Sequence, residues 1–179
     1  MAETRLSKKD WIDAGFQALS STGPEALKAE ALARALGTTK GSFYWHFKDV
    51  PEFKAKMLLN WRAASLGALS NVLEEGGTPA QRLMRLAEFA EGATKGYVPE
   101  TVIRGWALSD PAVREALDEV DRLRRNYIAA VLGDMGLTDA NFAHIVHAAL
   151  VGLAMDTGSG NARAAMSTLL AAITALEDA

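Results

Sequence analysis

Cysteine is absent from the 179-residue sequence, and its absence excludes disulfide bonds and thiolate chemistry. No apolar run reaches the roughly 18 residues that would span a bilayer, and the N-terminal segment lacks the apolar stretch of a signal peptide. Proline is scarce, and its five copies stand near predicted turns or helix starts. We therefore expect a cytoplasmic protein that does not associate with a membrane.

Alternating β-branched residues, which are typical of strands, are also missing, whereas Ala, Leu and Glu are abundant. These observations predict an all-α fold of about nine helices, bounded by capping residues, glycines and prolines. The approximate predicted ranges are 8–19, 28–35, 39–47, 50–75, 79–94, 100–108, 111 to 133 or 136, 139–156 and 162–179. Thr138 is the predicted N-cap of the eighth helix.

Charge is distributed unevenly along the chain. Residues 1–62 hold ten Lys and Arg against seven Asp and Glu, which gives +3; residues 63–179 hold nine against fifteen, which gives −6, for a total of −3. A basic N-terminal part is compatible with attraction to phosphate groups. Because the asymmetry is modest, the assignment of a partner depends on the motifs.

The segment TTKGSFYWHFKD, residues 38–49, combines four aromatic residues with polar and basic ones. At about 100° per residue, Phe43 and Phe47 share one helix face and are predicted to pack against the first two helices. Gly41, Ser42 and Trp45 face the other way. Three short helices with a tight turn before the third predict a helix-turn-helix, whose third helix enters the major groove.

The polar surface of this third helix supplies candidate DNA contacts. Lys40 can donate hydrogen bonds to guanine, and Ser42 and Thr39 can reach bases or phosphates. Gly41 permits a close approach of the backbone. The candidates for contacts with phosphate oxygens are Tyr44, Trp45, His46 and Lys48.

The stretch LARALGTTKGSFYWHFKD resembles the DNA-binding signature of the TetR (Tet-repressor-like) family of bacterial regulators. The resemblance covers about residues 8–60 and includes Gly23, Pro24, Leu32, Ala33, Leu36, Gly37, Gly41, Phe43, Tyr44, His46 and Phe47. It implies base contacts at 39–42 and phosphate contacts at 44–46. It also implies a helix-turn-helix domain at 1–48, joined by the long fourth helix to a helical effector-binding and dimerisation domain at 49–179.

Two positions depart from the pattern of the family. The second helix usually begins with Thr or Ser, where this sequence has Lys28, and a lysine commonly stands where this sequence has Val50. Lys28 and Lys48 can supply phosphate contacts instead. These departures leave an alternative function open, that of a helical dimeric interaction protein that has lost operator binding.

The last two predicted helices are rich in small residues, which let helices approach closely. Two such helices from each of two chains would form a four-helix bundle, and the homodimer would hold two recognition helices about 34–36 Å apart. The predicted interface residues are Ile145, Ala148, Ala149, Gly152, Leu169 and Ile173. The alternative is that these helices complete the core of a monomer.

Large apolar residues on the middle helices either line an effector cavity or fill a core. The predicted pocket residues are Trp61, Met84, Phe89, Ile103, Arg104, Trp106 and Tyr127. By thermodynamic linkage, a small apolar effector that favours a spacing unsuited to DNA would release the protein from double-stranded operator DNA. The resemblance therefore implies a transcriptional regulator, and repression is the usual outcome in the family.

Sequence signatures of catalysis are lacking. The sequence has no nucleophile elbow, P-loop or dinucleotide-binding fingerprint. His144 and His147, three residues apart on one helix, can approach a common metal, but a structural or interface role is favoured for them. We expect no enzyme activity, no cofactor and no metal.

Overall fold

The computed structural model of the chain describes residues 6–90, 100–156 and 161–177. These residues form helices and turns, and no strand occurs among them. The prediction of an all-α protein with an N-terminal helix-turn-helix is confirmed.

Three short helices form the N-terminal part, with α1 at Lys8–Thr22, α2 at Ala29–Ala35 and α3 at Lys40–Tyr44. A one-turn 3₁₀ helix, Pro24–Ala26, links α1 to α2 and was not predicted. The α2–α3 turn uses Gly37, whose φ of 64° lies in the left-handed region that favours glycine.

The third helix, α3, ends earlier than the sequence predicts. The amides of His46 and Phe47 both donate to the carbonyl of Phe43, and this tight last turn leads into the extended backbone of Asp49. Asp49 then caps the next helix, since its Oδ1 accepts a hydrogen bond of 2.8 Å from the amide of Glu52. The strong restart signal at Asp49 therefore shortens α3.

The long helix α4, Val50–Glu74, measures about 37 Å at 1.5 Å per residue. The remaining helices are α5 (Pro79–Ala90), α6 (Glu100–Ala107), α7 (Pro111–Gly133), α8 (Ala140–Met155) and α9 (Ala162–Glu177). The prediction that Thr138 caps α8 is wrong. The N-cap is Asp139, whose carboxylate accepts a hydrogen bond of 2.9 Å from the amide of Asn141. The carboxylate one residue later takes the capping position.

Two hydrophobic cores hold these helices together. The first joins α1, α2 and α3 to the first half of α4, to α6 and to the first half of α7. The second joins α5, the second half of α7, α8 and α9. The domain boundary at residues 48 and 49 remains a prediction, and the first core runs across it.

Gly15 lies at a position where α1 packs tightly on α4. A Cβ at this position would lie 2.6 Å from Cζ of Phe53 and 2.7 Å from Sδ of Met57, well inside van der Waals contact. Both neighbours are fully buried. Because glycine has no Cβ, Gly15 lets α1 and α4 pack at this distance.

Candidate functional site

An aromatic cluster holds α3 in place. Phe43 is fully buried, and its ring lies 5.3 Å from the rings of both Trp11 and Phe53 in edge-to-face geometry. Phe47 packs in the same way on Phe53 at 5.0 Å. Such pairs contribute about 0.5–1.5 kcal/mol each beyond the burial of their area. The predicted core face of the recognition helix is the observed one.

The opposite surface of the helix-turn-helix faces solvent. Trp45 is 82% exposed and Tyr44 is 48% exposed, values that are unusual for large aromatic side chains. The other predicted DNA-contact residues, all exposed or half-buried, are Lys28, Thr39, Lys40, Gly41, Ser42, His46 and Lys48. The structure thus leaves every predicted contact residue accessible on the N-terminal part of the chain.

Local contacts organise the start of α3. Thr39 is its N-cap, and its Oγ1 accepts the amide of Ser42 at 3.3 Å. Gly41 has open space around it, since a Cβ there would meet only Oγ1 of Thr39 at 3.6 Å. Lys28 occupies the N-cap position of α2 without a side-chain capping bond. Gly41 therefore presents bare backbone towards the outside of the protein.

Lys40 has a partner that the sequence did not indicate. Its Nζ lies 2.6 Å from Oε1 of Glu30 on α2, and both side chains are largely exposed. The hydrogen bond from Lys40, and then its charge, lowers the pKa of the Glu30 carboxyl. The pair links α2 to α3 at the surface of the protein.

The predicted effector residues are distributed over both cores. Trp61, Ile103 and Trp106 are buried in the first core, and Met84 and Tyr127 belong to the second. The side chain of Phe89 lies outside the described part of the structure. The middle helices thus pack most of these apolar side chains rather than leaving them around one open cavity.

Arg104 belongs to a buried ionic cluster between α6, α7 and α8. Its guanidinium donates to Glu100 at 2.9 Å and to Asp121 at 2.8 Å, and Arg124 donates to the other oxygen of Glu100. Nε2 of His147 lies 3.4 Å from Oδ1 of Asp121. Two cations face two carboxylates, so the cluster is balanced when His147 is neutral.

The pKa of Asp121 reflects this arrangement. Burial by itself raises the pKa of the carboxyl, but the close imidazole of His147 and the bonded guanidinium of Arg104 outweigh it and hold the pKa below its ordinary value. Asp121 is therefore ionised at neutral pH in spite of its burial. A cavity of about 20 Å³, enough for about one water molecule, lies beside Glu100, Arg124 and His147.

The predicted dimer residues occupy different environments in the single chain. Ile145 is 46% exposed, and Ala148 and Gly152 are exposed on the same side of α8. Ala149 and Leu169 are half-buried, whereas Ile173 is only 4% exposed and fills the second core. Outward-facing apolar positions therefore form a stripe on α8, the α8 stripe, while Ile173 on α9 is packed in the second core.

Other kinds of site find no support in the described ranges. No group of three or more His, Asp or Glu side chains is placed to hold a metal within residues 6–90, 100–156 and 161–177. Over the same part of the chain, no helix is both long and apolar enough to cross a bilayer.

Comparison with known proteins agrees with this geometry. Residues 12–49, which contain α1, α2 and α3 almost completely, match the family described as bacterial regulatory proteins, tetR family. No curated protein sequence matches the chain. The matched segment is the one that carries the aromatic cluster and the exposed residues of α3.

Solved structures share the fold over nearly the whole chain. A transcriptional regulator from a Rhodococcus species has a TM-score of 0.74 and 22% identity, covering 96% of this chain and 95% of its own. For the ketosteroid transcriptional regulator of Mycobacterium tuberculosis, the TM-score is 0.65 and the identity is 13%, and the match covers 98% of this chain and 95% of that protein. For a TerR/AcrR family regulator from Aquifex aeolicus, the TM-score is 0.67 and the identity is 12%, and the match covers 94% of this chain and 98% of that protein. The N-terminal helices of the chain therefore match the tetR family of bacterial regulatory proteins, and the chain as a whole shares the fold of these solved regulators.

Proposed function

We propose that the protein is a homodimeric transcriptional repressor that binds double-stranded operator DNA through α3 and is released from it by a small apolar effector. The observation that carries this proposal is the two-sided character of α3. Phe43 is fully buried, while Tyr44 and Trp45 beside it are exposed together with basic and hydroxyl side chains. A helix anchored in this way can enter the major groove without disturbing its own core.

Base and phosphate contacts divide along the helix. Lys40 at the N-terminal end, with Thr39, Gly41 and Ser42, would meet base edges, because the start of a recognition helix points into the groove. Tyr44, Trp45, His46 and Lys48, with Lys28 on α2, would hold the phosphates on either side. When Lys40 contacts DNA, its ammonium group must break the ion pair with Glu30 or bind Glu30 and a base at the same time.

The α8 stripe supports a symmetric dimer. Ile145, Ala148 and Gly152 follow one another at intervals of three and four residues on the exposed side of α8, as an interface helix requires. On α9, Ala164, Ala165, Ala171 and Ala172 are exposed and small. Ile173, the remaining predicted interface residue, packs in the second core of the single chain, and its contact with the partner stays a prediction. Such a dimer would place two copies of α3 on successive major grooves.

Unsatisfied polar atoms support an effector among the middle helices. Among the described residues, the indole Nε1 of Trp61 and of Trp106, the hydroxyl of Ser65 and the hydroxyl of Tyr127 are buried without a hydrogen-bond partner. Burying such groups unpaired costs about 1–3 kcal/mol each. A guest molecule with polar atoms, or water held with it, would remove part of this cost.

Selection of duplex fragments from a random pool by the purified protein tests the DNA proposal directly. We expect enrichment of a two-fold symmetric site, with half-sites about one helical turn apart. On that site, Lys40→Ala should reduce affinity roughly tenfold to a hundredfold and relax the preference at one base pair. Tyr44→Ala should weaken binding to all sequences alike. A pool that remains random after repeated selection would refute the proposal.

The salt dependence of binding separates the repressor from a helical interaction protein without DNA function. Contacts with several phosphates make the affinity fall steeply as salt rises, with a slope of about −0.9 for each phosphate. Glu30→Gln offers a matched probe, because it removes a negative charge next to Lys40. We expect this variant to bind duplex DNA a few times more tightly at low salt, roughly in line with the loss of one repulsion.

A further inference from the structure

The ion pair between Glu30 and Lys40 lies where the proposed base contacts of α3 begin. Glu30 is the second residue of α2, and Lys40 is the first residue of α3. The side chain of Glu30 is 68% exposed and that of Lys40 is 52% exposed, so solvent reaches both charged groups. Because exposed ion pairs of this kind add little to stability, the pair matters for the surface that it presents rather than for the fold.

A carboxylate at this place opposes DNA binding in general. The hydrogen bond from Lys40, and then its charge, lowers the pKa of the Glu30 carboxyl, which is therefore ionised at neutral pH and repelled by phosphate groups. Phosphate contacts govern the affinity for DNA of any sequence, whereas contacts with base edges govern the choice of sequence. A benefit of Glu30 to a DNA-binding surface must therefore lie in the choice of sequence.

The pair leaves hydrogen-bonding groups of both kinds unused. The ammonium group of Lys40 has three N–H donors, and one of them is directed to Oε1 of Glu30 at 2.6 Å. The carboxylate has about four acceptor sites on its two oxygens. Among the residues that the structure describes, neither side chain has a second hydrogen-bond partner. Free donors and free acceptors therefore stand side by side next to the start of α3.

This arrangement matches the major-groove edge of one kind of base pair. A G·C pair presents two acceptors, N7 and O6 of guanine, followed by one donor, the N4 amino group of cytosine. Since a Watson–Crick hydrogen bond joins O6 to N4, these atoms lie about 2.9 Å apart. Nζ of Lys40 and Oε1 of Glu30 lie 2.6 Å apart. An A·T pair places its donor between two acceptors, and an inverted C·G pair reverses the order, so neither fits the ion pair equally well.

We propose that Glu30 is a specificity-determining residue, and that Glu30 and Lys40 together read one G·C base pair in each half-site. Lys40 donates to N7 and O6 of the guanine, and the carboxylate of Glu30 accepts from N4 of the cytosine on the opposite strand. The ion pair stays intact in the complex and holds the ammonium group over the guanine. This inference rests on the proposed DNA-binding function, and it adds a base-reading residue that lies outside α3.

Affinities for variants of the selected operator test this assignment. The base pair that Lys40 contacts is identified first, as the one at which Lys40→Ala loses its preference. We expect the native protein to prefer G·C over the inverted pair there by about tenfold to a hundredfold. Glu30→Met keeps an unbranched side chain and has no acceptor oxygen. It should reduce this preference roughly fivefold and leave the preferences at the other base pairs unchanged.

Glu25→Met provides the matched control. Glu25 is exposed on the 3₁₀ helix before α2 and is not the ion-pair partner of Lys40, so its substitution changes the net charge by the same amount. This variant should keep the full preference for G·C. Both substitutions are at exposed positions, and circular dichroism should show the native helix content for both variants.

Modified bases test the individual contacts. N4-methylcytosine still pairs with guanine, but a methyl group replaces the hydrogen that faces the major groove. In the assigned base pair, it should weaken binding of the native protein roughly fivefold and should not weaken binding of Glu30→Met. 7-Deazaguanine lacks the N7 acceptor. It should weaken binding of the native protein and of Glu30→Met, but not of Lys40→Ala.

The outcomes separate this inference from the proposed function. If the protein selects an operator and Glu30→Met keeps the native preference at every base pair, the DNA-binding function stands and base reading by Glu30 is refuted. The same conclusion follows if the base pair assigned to Lys40 is not G·C, or if N4-methylcytosine weakens the native protein and Glu30→Met alike. If the protein selects no operator at all, both proposals fail.

Discussion

The contact of Gly15 with α4 can be tested by a single added methyl group. In Gly15→Ala, the new Cβ would lie 2.6 Å from Cζ of Phe53, about 1 Å inside the optimal carbon–carbon separation. The Phe53 ring cannot swing aside freely, because it is fully buried and packs on Phe43 at 5.3 Å. Overpacking of this kind costs about 1–3 kcal/mol.

A second helical glycine provides the control. A Cβ added at Gly67 on α4 would meet no neighbouring element within 4 Å, so Gly67→Ala adds only the gain in helix propensity, about 0.8–1.0 kcal/mol. Gly15→Ala receives the same gain, and the difference between the two variants therefore isolates the overpacking. We expect Gly67→Ala to be more stable than Gly15→Ala by about 1–3 kcal/mol.

Urea denaturation, followed by far-ultraviolet circular dichroism at one protein concentration, measures this difference. In thermal unfolding, each 1 kcal/mol should appear as a shift of about 2–4 °C. Because Phe53 supports Phe43, Gly15→Ala should also weaken DNA binding, while Gly67→Ala should leave it unchanged. Equal stabilisation by both substitutions would refute the claim that α1 and α4 need glycine at this point.

Three further predictions concern the ionic cluster and the dimer. Glu100→Gln removes a buried carboxylate that bonds two half-buried guanidinium groups and should cost about 3–5 kcal/mol in urea unfolding. Glu119→Gln, whose partner Arg62 is 40% exposed, should cost about 1 kcal/mol or less. The pKa of the Asp121 carboxyl is lowered in the folded protein, so this carboxyl stabilises the fold fully above its unfolded pKa of about 4 and loses that effect as the pH falls through its folded pKa. Asp121→Asn should therefore be less stable than the native protein at neutral pH, and the difference should shrink only in acid. Urea titrations at stepped pH measure it. Ile145→Asp should convert the dimer to monomers in light scattering, and Leu108→Asp, at a 79% exposed position outside the α8 stripe, should not.

The periodicity of apolar residues predicts which residues of a single helix share its buried face. The spacing of Phe43 and Phe47 alone places them on a common buried face, and the structure confirms it. The same reasoning applied to α9 would have found Ile173, which follows Met166 and Leu170 at intervals of four and three residues on the buried side. Its place in the dimer interface stays a prediction.

Contacts between helices were out of reach of the sequence. Glu30 stands ten residues before Lys40 and meets it only because α2 and α3 cross at a particular angle. Gly15 looked like an ordinary helical glycine, since nothing in its local pattern shows which side chains of α4 lie opposite. The two carboxylate partners of Arg104 come from positions 4 residues before it and 17 residues after it, and its place in an effector pocket stays a prediction.

The continuity of the first core has a practical consequence for building hybrid regulators. Trp11, Phe43 and Phe53 share this core with Ile103 and Trp106, so a cut after residue 48 would pass through packed side chains rather than through a linker. If the three N-terminal helices were joined to another protein without α4 and α6, the apolar side chains that pack in the first core would be exposed to solvent. Exchange of specificity in this scaffold should therefore be confined to the outward side of α3, or should carry α4 and the facing residues of α6 along with it.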